Sequence, residues 1–109
     1  MEENKNFKGL YMNITLSEDR LRISQNKGYL NKAVEDVYEE VMIEDIDLNH
    51  VEFSPARSMI IQGYLIIPLK KKLVLPNIFK GKVTEIKIWF KRDGNEPFEE
   101  LRELLMAMR

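Results

Sequence analysis

Thr84-Glu85-Ile86-Lys87-Ile88-Trp89-Phe90, then Asp93-Gly94-Asn95, then Pro97-Phe98-Glu99-Glu100-Leu101-Arg102-Glu103-Leu104-Leu105 is the stretch that decides the fold. The first run alternates apolar and polar residues with the period of a strand, so Thr84, Ile86, Ile88 and Phe90 face a core while Glu85, Lys87, Trp89 and Lys91 face outward. Asp93-Gly94-Asn95 supplies turn chemistry. The last run changes to helical spacing, with Phe98, Leu101, Leu104, Leu105 and Met108 on one stripe. Burying each of these side chains is worth about 1.5–3 kcal/mol, so the helix belongs to the core. Asn95 or Glu96 is the expected N-cap, Pro97 suits the first turn, and Glu99 and Glu100 suit the positive end of the helix dipole.

Upstream of this pair, the pattern reads mainly as short strands. Residues 7–16 alternate, with Leu10, Met12, Ile14 and Leu16 on one side. Leu21 and Ile23 begin a second strand over 20–25, after a turn at Ser17-Glu18-Asp19. Residues 29–41 read two ways. Leu30, Val34, Val37 and Val41 suit one face of a short helix, and a loop leading into a strand at 40–43 competes for the same residues; the helical periodicity is the better match. A strand over 47–54 puts Val51 and Phe53 inward and His50 and Glu52 outward. Residues 58–68 read as the most apolar strand: Met59, Ile61, Leu65 and Ile67 on one parity, Ile60, Tyr64 and Ile66 on the other. Such a strand is expected to be covered on both faces. Gly63 in its middle marks a bulge or a close backbone approach. A short strand at 72–75 ends at Pro76, a loop over 77–82 follows, and the last strand spans 83–91.

Composition narrows the chemistry. With 109 residues, 44% hydrophobic and 32% charged, the chain supports one domain with its own core. No cysteine is present, which removes disulfides, thiolate catalysis and thiolate-bound zinc. Residues 1–6 are polar, read as a flexible end, and carry no apolar signal segment, so a soluble cytoplasmic protein is the expectation. The net charge of −1 conceals a segregation. Residues 35–52 hold Glu35, Asp36, Glu39, Glu40, Glu44, Asp45, Asp47 and Glu52 without a Lys or Arg. Residues 57–92 hold Arg57, Lys70, Lys71, Lys72, Lys80, Lys82, Lys87, Lys91 and Arg92 against Glu85. These segments can pair within the fold, pair between copies, serve a polar partner, or be two solvated faces.

Seven strands in two antiparallel sheets, capped by one C-terminal helix, would satisfy every apolar face: a mainly β fold with the architecture of a pleckstrin-homology (PH) barrel. The residues resemble those of the small bacterial PH-like domains in Ile46-Asp47-Leu48-Asn49-His50-Val51-Glu52-Phe53-Ser54-Pro55-Ala56, Gly63-Tyr64-Leu65, Glu85 to Phe90, and Phe98-Glu99-Glu100-Leu101-Arg102. The resemblance covers 41–105, and the acidic segment 29–40 departs from it. It implies a binding or assembly scaffold that often self-associates, and it carries over no catalytic residue.

The chemistry of the side chains points the same way. His50 stands alone; with Asp45, Asp47 and Glu52 nearby a two-ligand metal site can be drawn, where a working site needs three or four. Gly81-Lys82 lacks the upstream glycine and the following hydroxyl of a phosphate loop. No enzyme, cofactor or metal is therefore expected. Nucleic-acid recognition wants aromatics interleaved with bases, and Trp89 between Lys87 and Lys91 is the one such arrangement, so nucleic acid is a lesser expectation. Its alternatives are packing under lysine stems or a protein contact. The expected interaction surface is Trp89, Lys87, Lys91, Tyr64, Ile66, Lys70, Lys71 and Lys72, with a protein partner or a second copy. An anionic ligand, a lipid headgroup or nucleic acid on the basic segment 57–92, is the alternative; no further sequence feature supports a membrane surface.

Overall fold

The computed structural model describes residues 4–25 and 37–109. Two antiparallel sheets pack over one core, and a helix closes the space between them. The first sheet has the order β1 (Lys5–Lys8), β2 (Met12–Leu16), β3 (Arg20–Gln25), β4 (Tyr38–Met42); the second has the order β5 (Glu52–Ser54), β6 (Gly63–Leu75), β7 (Gly81–Phe90). Helix α1 (Asn95–Met106) follows β7. The two ladders stay separate rather than closing into one barrel. Backbone-to-backbone bonds link them at two corners. At one, the Leu10 N–H donates to the Trp89 carbonyl at 2.9 Å. At the other, Ile46 forms an isolated bridge with Leu69, and the Asp47 N–H donates to the Pro68 carbonyl at 2.9 Å.

Period-2 alternation builds the core. Ile14, Leu16, Leu21, Ile23 and Val41 face inward from the first sheet; Leu65, Ile67, Leu75, Ile86, Ile88 and Phe90 face them from the second. From the helix come Phe98, Leu101 and Leu105, while Leu104 and Met108 are half-buried at the margin. Phe98 joins the layers. Its ring stacks on Phe90 at 4.7 Å and tilts against Phe7 of β1 at 6.1 Å, and Phe90 in turn stacks on Phe53 of β5 at 5.8 Å.

Several elements differ from the sequence reading, each for a local reason. The strand expected over 7–16 is a hairpin, β1 and β2. The chain reverses at Gly9, whose N–H donates to the Met12 carbonyl at 2.9 Å and where an added Cβ would lie 2.6 Å from that oxygen. Lys5 and Asn6, read as part of a flexible end, belong to β1. Of the helix expected over 29–41, residues 29–36 lie outside the described residues, and Tyr38 to Val41 are strand, not helix. Glu39 and Val41 point inward there with period 2. Glu39 is 95% removed from solvent, and its carboxylate accepts the Ile78 N–H at 2.8 Å. That bond, with Asn77 Nδ2 donating to the Tyr38 carbonyl, fastens the β6–β7 turn onto β4.

The strand expected over 47–54 shrinks to Glu52–Ser54, because residues 43–45 and 48–50 take 3-10 turns. His50 and Glu52 therefore do not share a strand face. The apolar strand expected over 58–68 begins only at Gly63 and does not stop at Pro68. It continues to Leu75, absorbing the separate strand expected at 72–75, with a register break between Pro68 and Leu73. Proline is tolerated there because it opens the bulge, where the ladder is already interrupted. Gly63 is a close approach, as its position suggests: an added Cβ would lie 2.5 Å from Ala56 N and 2.7 Å from Ser54 O.

Helix α1 is capped by Gly94 and not by a side chain of Asn95 or Glu96. Asn95 does other work. Its Oδ1 accepts the Ala56 N–H at 2.8 Å and its Nδ2 donates to the Ala56 carbonyl at 3.0 Å, so the first helical residue clamps the Pro55-Ala56 segment. Among the described residues, no helix is long and apolar enough to cross a membrane.

Candidate interaction surface

The outward parity of the second sheet forms a small aromatic face. Strand pairing sets it in rows: Ser54, Tyr64 and Trp89 are neighbours across β5, β6 and β7, and Glu52, Ile66 and Lys87 form the next row. Tyr64 and Trp89 meet edge to face, with centroids 5.5 Å apart and planes at 69°. The Lys87 ammonium lies 4.4 Å from the Tyr64 ring centroid and 4.3 Å from that of Trp89. One cation thus caps two π faces. All four side chains, Tyr64, Ile66, Lys87 and Trp89, are half-buried. β6 therefore has a closed inner face, and among the described residues its outer face at Tyr64 and Ile66 is flanked by Trp89 and Lys87 of β7. Among the described residues, none supplies the second cover expected for 58–68.

Half of the expected surface is brought together and half is dispersed. Tyr64, Ile66, Lys87 and Trp89 form the cluster. Lys91 lies beyond the end of β7, exposed. Lys70, Lys71 and Lys72 stand exposed in the β6 bulge, seven or more residues along the strand from Gly63, roughly 20 Å at the usual rise. The basic segment 57–92 is consequently not one patch: Arg57, Lys91 and Arg92 gather at the start of β6, and the lysine bulge sits near its far end.

The acidic segment is largely engaged within the fold. Glu40 accepts from Arg20 at 3.2 Å and from Arg22 at 3.1 Å, both on the neighbouring strand β3. Asp45 lies 3.9 Å from Lys71, the one ion pair between the acidic and basic segments among the described residues. Glu39 is spent on the Ile78 amide. Nearby, the Arg20 guanidinium donating to Asp19 at 3.0 Å holds that carboxyl below the usual aspartate range. His50 Nδ1 lies 2.9 Å from Asp47 Oδ2 at the surface. No group of three or more His, Asp or Glu that could hold a metal is found among the described residues.

Periodicity hides one surface feature. Met59, Ile60 and Ile61, expected in a strand, form a projecting turn and are 93%, 88% and 55% exposed. The available signal was Ser58: a hydroxyl residue ahead of an apolar run can take the next backbone amides and turn the chain. Among the described residues, Tyr11, Val37 and Val74 are also exposed.

Comparison with protein-family models and with curated proteins gives no match. The class defined by the coordinates is a mostly β protein of a four-stranded and a three-stranded antiparallel sheet with one C-terminal helix.

Proposed function

We propose that the chain is a PH-like interaction module that associates with a second copy of itself through the outer face of its three-stranded sheet and catalyses no reaction. The order of four strands, three strands and a terminal helix supports the PH-like reading, as do the segments 46–56, 63–65 and 98–102 on which the resemblance rests. Three of the side chains able to do acid–base work hold partners within the fold: Glu40 two arginines, Glu39 a backbone amide, and His50 the Asp47 carboxylate.

The observation that carries self-association is the Tyr64–Lys87–Trp89 cluster beside Ile66. A tryptophan and a tyrosine held rigidly on a strand and left half-exposed lose little conformational freedom on contact, which is why such residues dominate the energetics of protein interfaces. Sedimentation velocity across micromolar concentrations tests it. A concentration-dependent shift to a larger species is expected, and Trp89→Ala or Ile66→Asp should move it back toward monomer. A wild-type chain that remains monomeric throughout removes the reading.

A further inference from the structure

The end of the molecule where β6 begins and β7 stops carries a second surface of a different kind. Met59, Ile60 and Ile61 project there as consecutive apolar side chains, 93%, 88% and 55% exposed. The turn that presents them is internally bonded. Ser58 Oγ accepts the N–H groups of Ile60 at 3.2 Å and Ile61 at 3.1 Å, and the Arg57 N–H donates to the Ile61 carbonyl at 3.1 Å. Basic residues surround it. Arg57 lies in the same turn, and Lys91 and Arg92 line a cleft of about 240 Å³ with Ser58, Met59 and Gln62. Lys8 reaches the same end beside Lys91, and Tyr11, 61% exposed, stands next to the Leu10–Trp89 contact. The acids of these segments are Asp93 and Glu96.

From this juxtaposition we propose that the Met59-Ile60-Ile61 turn inserts into the interfacial layer of an anionic lipid bilayer, with Arg57, Lys91, Arg92 and Lys8 on the headgroups. Three features favour a bilayer over a protein groove. A convex tip of consecutive apolar side chains needs a medium that yields around it, not a preformed mate. Backbone groups entering a water-poor layer favour internal bonds, and the turn supplies them to the Ile60 and Ile61 N–H groups and to the Ile61 carbonyl. An apolar tip within a basic collar matches both the acyl boundary and the negative surface potential of such a membrane. The surface is separate from the Tyr64–Trp89 face, so the two readings can fail independently.

The test is co-sedimentation with vesicles of phosphatidylcholine containing about 30% phosphatidylglycerol, against phosphatidylcholine alone, at about 100 mM salt. Binding to the anionic vesicles is expected, and Ile60→Asp should weaken it by about tenfold or more, since it replaces the inserting group with a charge. Lys91→Glu with Arg92→Glu should weaken it comparably. A depth reporter reads insertion directly: in Trp89→Phe carrying Ile60→Trp, whose single tryptophan sits in the turn, emission should shift to the blue on adding anionic vesicles. No binding, binding unchanged by Ile60→Asp, or no blue shift overturns the proposal. So does an Ile60→Asp variant that loses a self-associated species while the wild type ignores vesicles, which would make the turn a contact between copies.

Discussion

Gly63 has no room for a side chain. The atoms an added Cβ would meet at 2.5 and 2.7 Å are Ala56 N and Ser54 O, both backbone, so neither can swing aside. Gly63→Ala is therefore expected to destabilise the fold by about 2–3 kcal/mol, the range of overpacked cores, read as a lowered urea midpoint at unchanged slope. A loss below about 0.5 kcal/mol, the range of ordinary surface changes, would mean that the Pro55-Ala56 segment can move away. The sequence marked the glycine as a bulge or a close backbone approach, but not its neighbour. Ala56 lies seven residues upstream, and nothing local brings it back.

At the scale of elements, Asn95 shows how a helix start can be used for docking instead of capping. Its two bonds to Ala56 fix where α1 begins relative to β5 and the turn that follows. Asn95→Ala should cost about 1–3 kcal/mol, since two partly buried backbone groups lose their partners. Asn95→Asp, which keeps an acceptor for the Ala56 N–H but loses the donor to its carbonyl, should fall between. Thermal unfolding of the three proteins checks the order, and an Asn95→Ala midpoint equal to wild type would refute it. Turn chemistry around Asn95 was evident from Asp93-Gly94-Asn95. The side chain's destination, 39 residues away in sequence, was not. The same limit explains residues 58–61: apolar content and parity fit a strand, and only the capture of two amides by Ser58 excluded it.

For the whole molecule, the helix is one of the links between the two sheets. Phe98 touches Phe7 of the first sheet and Phe90 of the second, and it is fully buried. Phe98→Ala should cost about 3–5 kcal/mol, as large-to-small core changes do. Hydrogen exchange should then show amides of β2 and β6 losing protection by the same free energy. Protection lost in one sheet alone would mean that the sheets open separately. The loss belongs to this scale because the residues of both sheets and of the helix share one core.

Local periodicity was sufficient for what depends on neighbours in the chain: the inward set Ile86, Ile88 and Phe90, the helical stripe of Phe98, Leu101 and Leu105, and the outward placement of Trp89. Those follow from the 2.0 and 3.6 residue repeats together with apolar burial. Tertiary structure alone decided that Tyr64 and Lys87 lie against Trp89, that the lysines of 70–72 and the bases around 91 are separate groups, and that Met59 to Ile61 face solvent. Each of these depends on strand register, on a bulge, or on a side chain bonding to distant backbone. Such choices are settled by which buried polar groups find partners, and a one-dimensional pattern does not contain that information.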